Sequence, residues 1–225
     1  MGNVYHHRLF LAGPAGRLEA MYWTVAEPEP PMAALVCHPH PLFGGTMHNK
    51  VVFQVARALH DLGLPVLRFN FRGAGLSEGL HDEGRGEQGD VGAALDWLAL
   101  KFPGKPIVLA GFSFGMVVGV QVGCRDNRVS ELIGLGLPVN RNDLGFLASC
   151  TKPRLFLQGS EDQYGDVDKV RELVASLPEP KRLVVVPGVD HFFTGKLESV
   201  GEAVRAWMTE RHPDWPSPVH ASPAE

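Results

Sequence analysis

Ile107-Val108-Leu109-Ala110-Gly111-Phe112-Ser113-Phe114-Gly115 places a serine at the centre of Gly-x-Ser-x-Gly, directly after four apolar residues. The apolar run fits a buried strand. Glycines on both sides of the serine permit the sharp, strained turn that carries a strand into a helix. A hydroxyl at that tip projects into reach of a base, and the helix beginning there adds backbone N–H groups and a positive dipole end beside a developing oxyanion. The stretch therefore points to an α/β sheet with a reactive serine at the carboxyl end of one strand.

The remaining chain alternates in the same way. Residues 33–37, 65–69, 132–136, 154–158 and 182–186 are further runs of strand length and character. Between them Val51, Val52, Val55, Leu59 and Leu62, then Val91, Ala94, Leu95 and Leu98, then Val167, Val170, Leu173, Val174 and Leu177 recur at helical spacing, and a final helix carries Leu197, Val200, Val204, Trp207 and Met208. Residues 5–12 and 17–25 flank Gly13-Pro14-Ala15-Gly16 and predict an antiparallel hairpin. The expectation is one doubly wound, mostly parallel domain opened by that hairpin.

Downstream of the serine, Leu155-Phe156-Leu157-Gln158-Gly159-Ser160-Glu161-Asp162 runs from a strand into an acidic turn, and Leu183-Val184-Val185-Val186-Pro187-Gly188-Val189-Asp190-His191 ends a strand in a histidine. The carboxyl ends of parallel strands form one rim, so Ser113, Asp162 and His191 are expected to converge there. His191 would accept the serine proton as general base, and Asp162 would hold the imidazole tautomer and stabilise the imidazolium. Glu161 and Asp166 are the rival acids. Asp190 would point away from its neighbour in an extended segment.

Two loops complete the pattern. One is His38-Pro39-His40-Pro41-Leu42-Phe43-Gly44-Gly45-Thr46-Met47-His48-Asn49-Lys50, the other Phe69-Asn70-Phe71-Arg72-Gly73-Ala74-Gly75-Leu76-Ser77-Glu78-Gly79. With the order Ser, Asp, His, each after its own strand, nearly the whole chain resembles the α/β-hydrolase superfamily. The first loop is similar to the oxyanion loop of a lidless bacterial subgroup with an HPHPxxGGTxxNK signature. The second is similar to the superfamily's D-x-R-G-x-G-x-S loop, with Asn70 where aspartate is commoner. The resemblance implies an α/β-hydrolase fold, a Ser113–His191–Asp162 triad and an acyl-enzyme. One oxyanion donor is expected at the Phe114 N–H. The other lies in the first loop, where Pro39 and Pro41 have no N–H and His40 and Leu42 remain. Resemblance to HG-x loops favours His40, with Leu42 second.

Residues 137–152, where a lid is usually inserted, have room for about one short helix, so an open cleft and no more than a minimal lid are expected. An open cleft suits small soluble short-chain esters, with Phe43, Met47, Phe112, Phe146, Phe192 and Phe193 as candidate acyl-pocket residues. A thioesterase, amidase or peptidase could use the same triad, and a non-catalytic binding protein could use the same fold.

Composition bounds the rest. With 225 residues and 44% hydrophobic content the chain can bury the core of one domain, expected over residues 1–212, and the proline-rich residues 213–225 are expected to be a mobile tail. A formal charge of −4 with scattered Lys and Arg gives no footprint for nucleic acid. The early apolar run at residues 9–12 is too short for a signal core or a membrane span, and Cys37, Cys124 and Cys150 have no metal-type spacing. Free thiols, a cytoplasmic location, no membrane or nucleic-acid partner and no cofactor are expected. His38, His40 and His48 are assigned to loop hydrogen bonding or the substrate rim rather than to a metal.

Overall fold

A computed structural model describes residues 6–25 and 30–215. Tyr5 of the expected first strand, part of the proline-rich link before the third strand, and residues 216–225 of the expected tail lie outside the described residues. The elements run β1 (His6–Gly13), β2 (Gly16–Trp23), β3 (Ala33–Cys37), α1 (Lys50–Asp61), β4 (Val66–Phe69), α2 (Arg85–Lys101), β5 (Ile107–Phe112), α3 (Phe114–Arg125), β6 (Val129–Leu135), β7 (Arg154–Gly159), α4 (Val167–Ser176), β8 (Lys181–Val186) and α5 (Leu197–Arg211). Strand order in the single sheet is β1-β2-β4-β3-β5-β6-β7-β8. The β1–β2 hairpin and the β2–β4 pairing are antiparallel, and every later pairing is parallel.

Side-chain alternation divides the core into two layers. Ala33, Leu35 and Cys37 of β3 and Leu109 of β5 face α2, α3 and α4 through Val91, Leu95, Met116, Val120 and Val170. Ala34, Val36, Val108 and Ala110 face α1 and α5 through Val52, Val55, Leu59, Val200 and Val204. Each fully buried leucine or valine contributes about 1.5–3 kcal/mol. Strands β3 to β5 are buried along their whole lengths; β3 and β5 accordingly read as unbroken apolar runs, while β4 carries the buried Arg68, whose Nη1 donates to the Met47 carbonyl at 2.8 Å.

Helix starts are set by side chains at this rim. Asn49 accepts hydrogen bonds from the Val51 and Val52 N–H groups (2.9 and 3.4 Å) and begins α1, while Asp166 accepts from Asp168 and Lys169 and begins α4. Asp166 is thereby committed to capping. Between β6 and β7 the chain makes a 3-10 turn, Gly145–Ser149, with Leu144 and Leu147 turned into the core. The rim above Ser113 has no lid domain among the described residues.

The departure at Asn70 has a local cause. Its Nδ2 donates to Glu19 Oε2 at 2.7 Å while its Oδ1 accepts from the Met47 N–H at 2.8 Å. An aspartate there would lack the donor and would set a second carboxylate against Glu19.

Candidate active site

β5 delivers Ser113 directly onto the first turn of α3. The serine has φ 55° and ψ −116°, a conformation that costs a non-glycine residue about 1–3 kcal/mol and persists only where its surroundings impose it. Gly111 and Gly115 lie outside the positive-φ region, and the strain falls on the serine itself. The glycines serve close approach instead. A Cβ on Gly111 would lie 2.3 Å from the Gly115 carbonyl oxygen, and one on Gly115 would lie 2.4 Å from the His38 carbonyl oxygen. The Ser113 hydroxyl does not cap α3.

Asp162 and His191 meet after β7 and β8. His191 Nδ1 lies 2.7 Å from Asp162 Oδ2. The same oxygen accepts from Gln158 Nε2 at 2.9 Å, and Oδ1 accepts from the Tyr164 and Gly165 N–H groups at 2.8 and 3.1 Å. A carboxylate holding four donors only accepts, so Nδ1 carries the imidazole proton and Nε2 is left with the lone pair. The ring is held against Phe112, Tyr164 and Phe192 at centroid distances of 4.9, 4.7 and 5.3 Å. Gly136, at φ 58°, backs it, since a Cβ there would come within 2.8 Å of His191 Cε1. Asp190 accepts from the Phe192 and Thr194 N–H groups and so caps its own turn.

The loop after β3 is fixed from beneath. His38 is fully buried, with Nδ1 2.6 Å from the Pro39 carbonyl oxygen and Nε2 accepting from the Phe71 N–H at 2.9 Å. Burial pushes its pKa down from 6.5 to about 4, so it bridges the two loops as a neutral ring. The unfolded chain takes up this proton below about 6.5 and the folded chain only near 4. Stability from His38 is therefore complete above about pH 6.5 and falls by about 3 kcal/mol as pH drops toward 4. Urea unfolding at pH 7 and pH 4.5 is expected to show a steeper loss for the wild type than for His38→Gln. Equal losses would show that no neutral buried ring is present.

The two candidate oxyanion donors in this loop separate clearly. Leu42 donates its N–H to His40 Nδ1 at 3.2 Å and its side chain is exposed. The His40 N–H has no acceptor among the described residues. Phe114, first in α3, has no intrahelical acceptor for its N–H. The His40 and Phe114 rings are in contact, 4.8 Å between centroids.

Ser113, His191, His40 and Phe114 line one open cleft of about 560 Å³. Of the expected acyl-pocket residues, Phe43 and Phe192 line it as well. Met47, Phe112, Phe146 and Phe193 do not. The Met47 backbone is bonded to Asn70 Oδ1 and Arg68 Nη1, which turns its side chain inward; Phe112 and Phe193 belong to the α1/α5 core, and Phe146 packs against the opposite one. His81, Arg141 and Tyr164 line the cleft although no local motif marks them. His81 Nδ1 sits 2.7 Å from Oε1 of the buried Glu87. His48 does not line the cleft, and among the described residues no group of three His, Cys, Asp or Glu side chains is placed to hold a metal ion. Among the described residues no helix is long and apolar enough to cross a membrane.

Gln158 is the supporting residue that the sequence did not mark. Fully buried, it donates to Asp162 and to the Gly165 carbonyl (2.8 Å), and it accepts from the Leu137 N–H (2.8 Å). Gln158→Leu would leave a buried carbonyl and N–H without partners, each costing about 1–3 kcal/mol. A lowered urea midpoint together with a fall in ester kcat is expected; an unchanged kcat would show that Asp162 needs no support from this side.

Residues 35–210 match the family model described as an alpha/beta hydrolase domain. An uncharacterized protein of Rickettsia prowazekii is 39% identical over 210 residues, spanning 89% of this chain and 88% of that protein. A Xanthomonas campestris crystal structure, described as an α/β serine hydrolase without lid, superposes with a TM-score of 0.83 at 35% identity, covering 93% of this chain and 97% of that one. An α/β serine hydrolase homologue from Coxiella burnetii superposes with a TM-score of 0.82 at 38% identity, covering 89% and 96%.

Proposed function

The chain belongs to the alpha/beta hydrolase family, and from that premise we propose that it is a serine carboxylesterase acting on small soluble short-chain esters. The observation that carries this reading is His191, hydrogen-bonded to the buried Asp162, lining the same cleft as a serine held at positive φ on the tip of β5.

Ser113 Oγ attacks the ester carbonyl as its proton passes to His191 Nε2, and Asp162 stabilises the imidazolium through Nδ1. The oxyanion is received by the Phe114 and His40 N–H groups. These are fixed by α3 and by the loop over His38 before substrate arrives, so no reorganisation is needed during reaction. Collapse expels the alcohol, which takes the proton from His191. Water deprotonated by the same ring then hydrolyses the acyl-enzyme.

Substrate size follows from the cleft. Phe43, strongly exposed, and Phe192, half-exposed, line an open cleft, which suits a short acyl or aryl group better than a long chain. The free thiols Cys37, Cys124 and Cys150 fit a reducing compartment, and the proposal places the enzyme in the cytoplasm with a small-molecule ester as its partner.

A fluorophosphonate probe read by intact mass tests the proposal. Labelling of the wild type and its loss in Ser113→Ala are expected; an unlabelled wild type would instead indicate a binding scaffold. A panel of p-nitrophenyl esters from acetate to long chains, with thioester and aminoacyl-amide comparators, is expected to peak at short esters.

A further inference from the structure

Resting on the esterase reading, we propose that the cleft contains an anion subsite at Arg141 and selects esters carrying a carboxylate a few carbons from the scissile carbonyl. The Arg141 guanidinium carbon lies 4.7 Å from the centre of the Tyr164 ring, and that ring lies 4.7 Å from the centre of the His191 imidazole. The cation is therefore within the sum of those two distances of the proposed base, on a wall of the same cleft.

Its placement is built rather than incidental. The segment bearing it is wound into a turn by the Arg141 and Asn142 N–H groups, both donating to the Pro138 carbonyl at 3.0 Å. The neighbouring Asn140 donates its N–H to the Tyr164 carbonyl at 3.2 Å, and its Oδ1 accepts from Lys169 Nζ at 3.3 Å. Tyr164 is in turn anchored through its own N–H to Asp162 Oδ1. One connected set of bonds thus fixes the Arg141 backbone relative to the base, and the exposed guanidinium is held over Tyr164 by the ring contact.

Arg141 has no carboxylate partner among the described residues. Three acids of the same segment or cleft have other partners: Asp162 holds four donors, Asp143 accepts from the Gly145 N–H, and Glu83, on the cleft wall, lies 3.7 Å from Arg85. A planar guanidinium stacked on an aromatic face keeps its outward N–H fork available, and that fork matches a carboxylate. An alcohol or alkyl group would leave the same fork solvated and contribute nothing. Because the chain's formal charge is −4, long-range steering does not favour an anion, and capture has to come from this local contact.

The test compares matched esters in purified protein. p-Nitrophenyl hemiadipate is set against p-nitrophenyl hexanoate, and 4-carboxyphenyl acetate against phenyl acetate, so that the anion is carried on the acyl side or on the alcohol side. At least one pair is expected to show a kcat/KM preference for the anionic member, about tenfold or more at low salt. That preference should collapse in Arg141→Gln, survive in part in Arg141→Lys and reverse in Arg141→Glu. It should also weaken in the wild type as salt rises from about 0.05 to about 0.5 M, a readout that depends on no variant folding. No preference in either pair, or one that persists in Arg141→Gln, would overturn the subsite while leaving the esterase standing. Failure to hydrolyse any of the four esters, with no fluorophosphonate labelling, would instead overturn the esterase reading beneath it.

Discussion

His191→Ala is expected to lower ester turnover by at least about 10³-fold, equivalent to about 4 kcal/mol of transition-state stabilisation. Without the imidazole, Ser113 has no acceptor for its proton as it attacks and the departing alcohol has no donor. The remaining rate would come from the oxyanion donors and binding alone. Folding should survive, because the ring stands at the edge of the α1/α5 core against Phe112 and Tyr164, and Asp162 retains its donors from Gln158, Tyr164 and Gly165. Steady-state kinetics on p-nitrophenyl acetate with circular dichroism of the same preparation checks both halves. Near-normal turnover in a folded variant would remove His191 from the mechanism.

Gly115→Ala is expected to damage stability and activity together. The new Cβ would sit 2.4 Å from the His38 carbonyl oxygen and 2.6 Å from that of Cys37, backbone atoms that cannot rotate aside. The first turn of α3 would have to retreat from the end of β3. Those two segments carry the Phe114 and His40 N–H groups, so the same movement opens the proposed oxyanion site. Loss of one such donor alone costs about 10²-fold or more in kcat, and overpacking at a close approach costs about 1–3 kcal/mol of stability. A lowered denaturant midpoint and a hundredfold-scale fall in kcat are expected together. Gly92→Ala in α2 is the control, since its Cβ would meet nothing within 4 Å; it should leave both measurements close to the wild type. Wild-type turnover in Gly115→Ala would mean that the tight packing of elbow on loop is not what holds the oxyanion donors.

Much of the architecture was legible because its signals are local. Each central strand is buried on both faces and so appears as a short apolar run, and each helix has one apolar face at its own period. Ser113, Asp162 and His191 could be selected as candidates on the same basis, as side chains just beyond strand ends that a parallel sheet gathers on one rim. The pocket was harder. Met47 and Phe112 look as suitable for an acyl group as Phe43 and Phe192, and only the Met47 N–H bond to Asn70 Oδ1, the Arg68 bond to the Met47 carbonyl, and the burial of Phe112 behind His191 turn them inward. Gly136 and Tyr164 were invisible for a related reason, since each packs against His191, far away in sequence; Gln158 is only four residues from Asp162, but nothing in its strand run marks it as a support for that carboxylate.

The amino-acid sequence by itself determined the α/β order of elements, the serine at the tip of β5 and the acid and histidine that follow later strands, because these depend on periodicity and on chain position. Tertiary structure alone decided which N–H of the His40–Leu42 pair is committed elsewhere, which phenylalanines face the cleft, and where Arg141 stands relative to His191. Those outcomes depend on contacts between segments brought together across the sheet edge. Packing and hydrogen-bond satisfaction select among side chains that are locally equivalent, and no local pattern records the result.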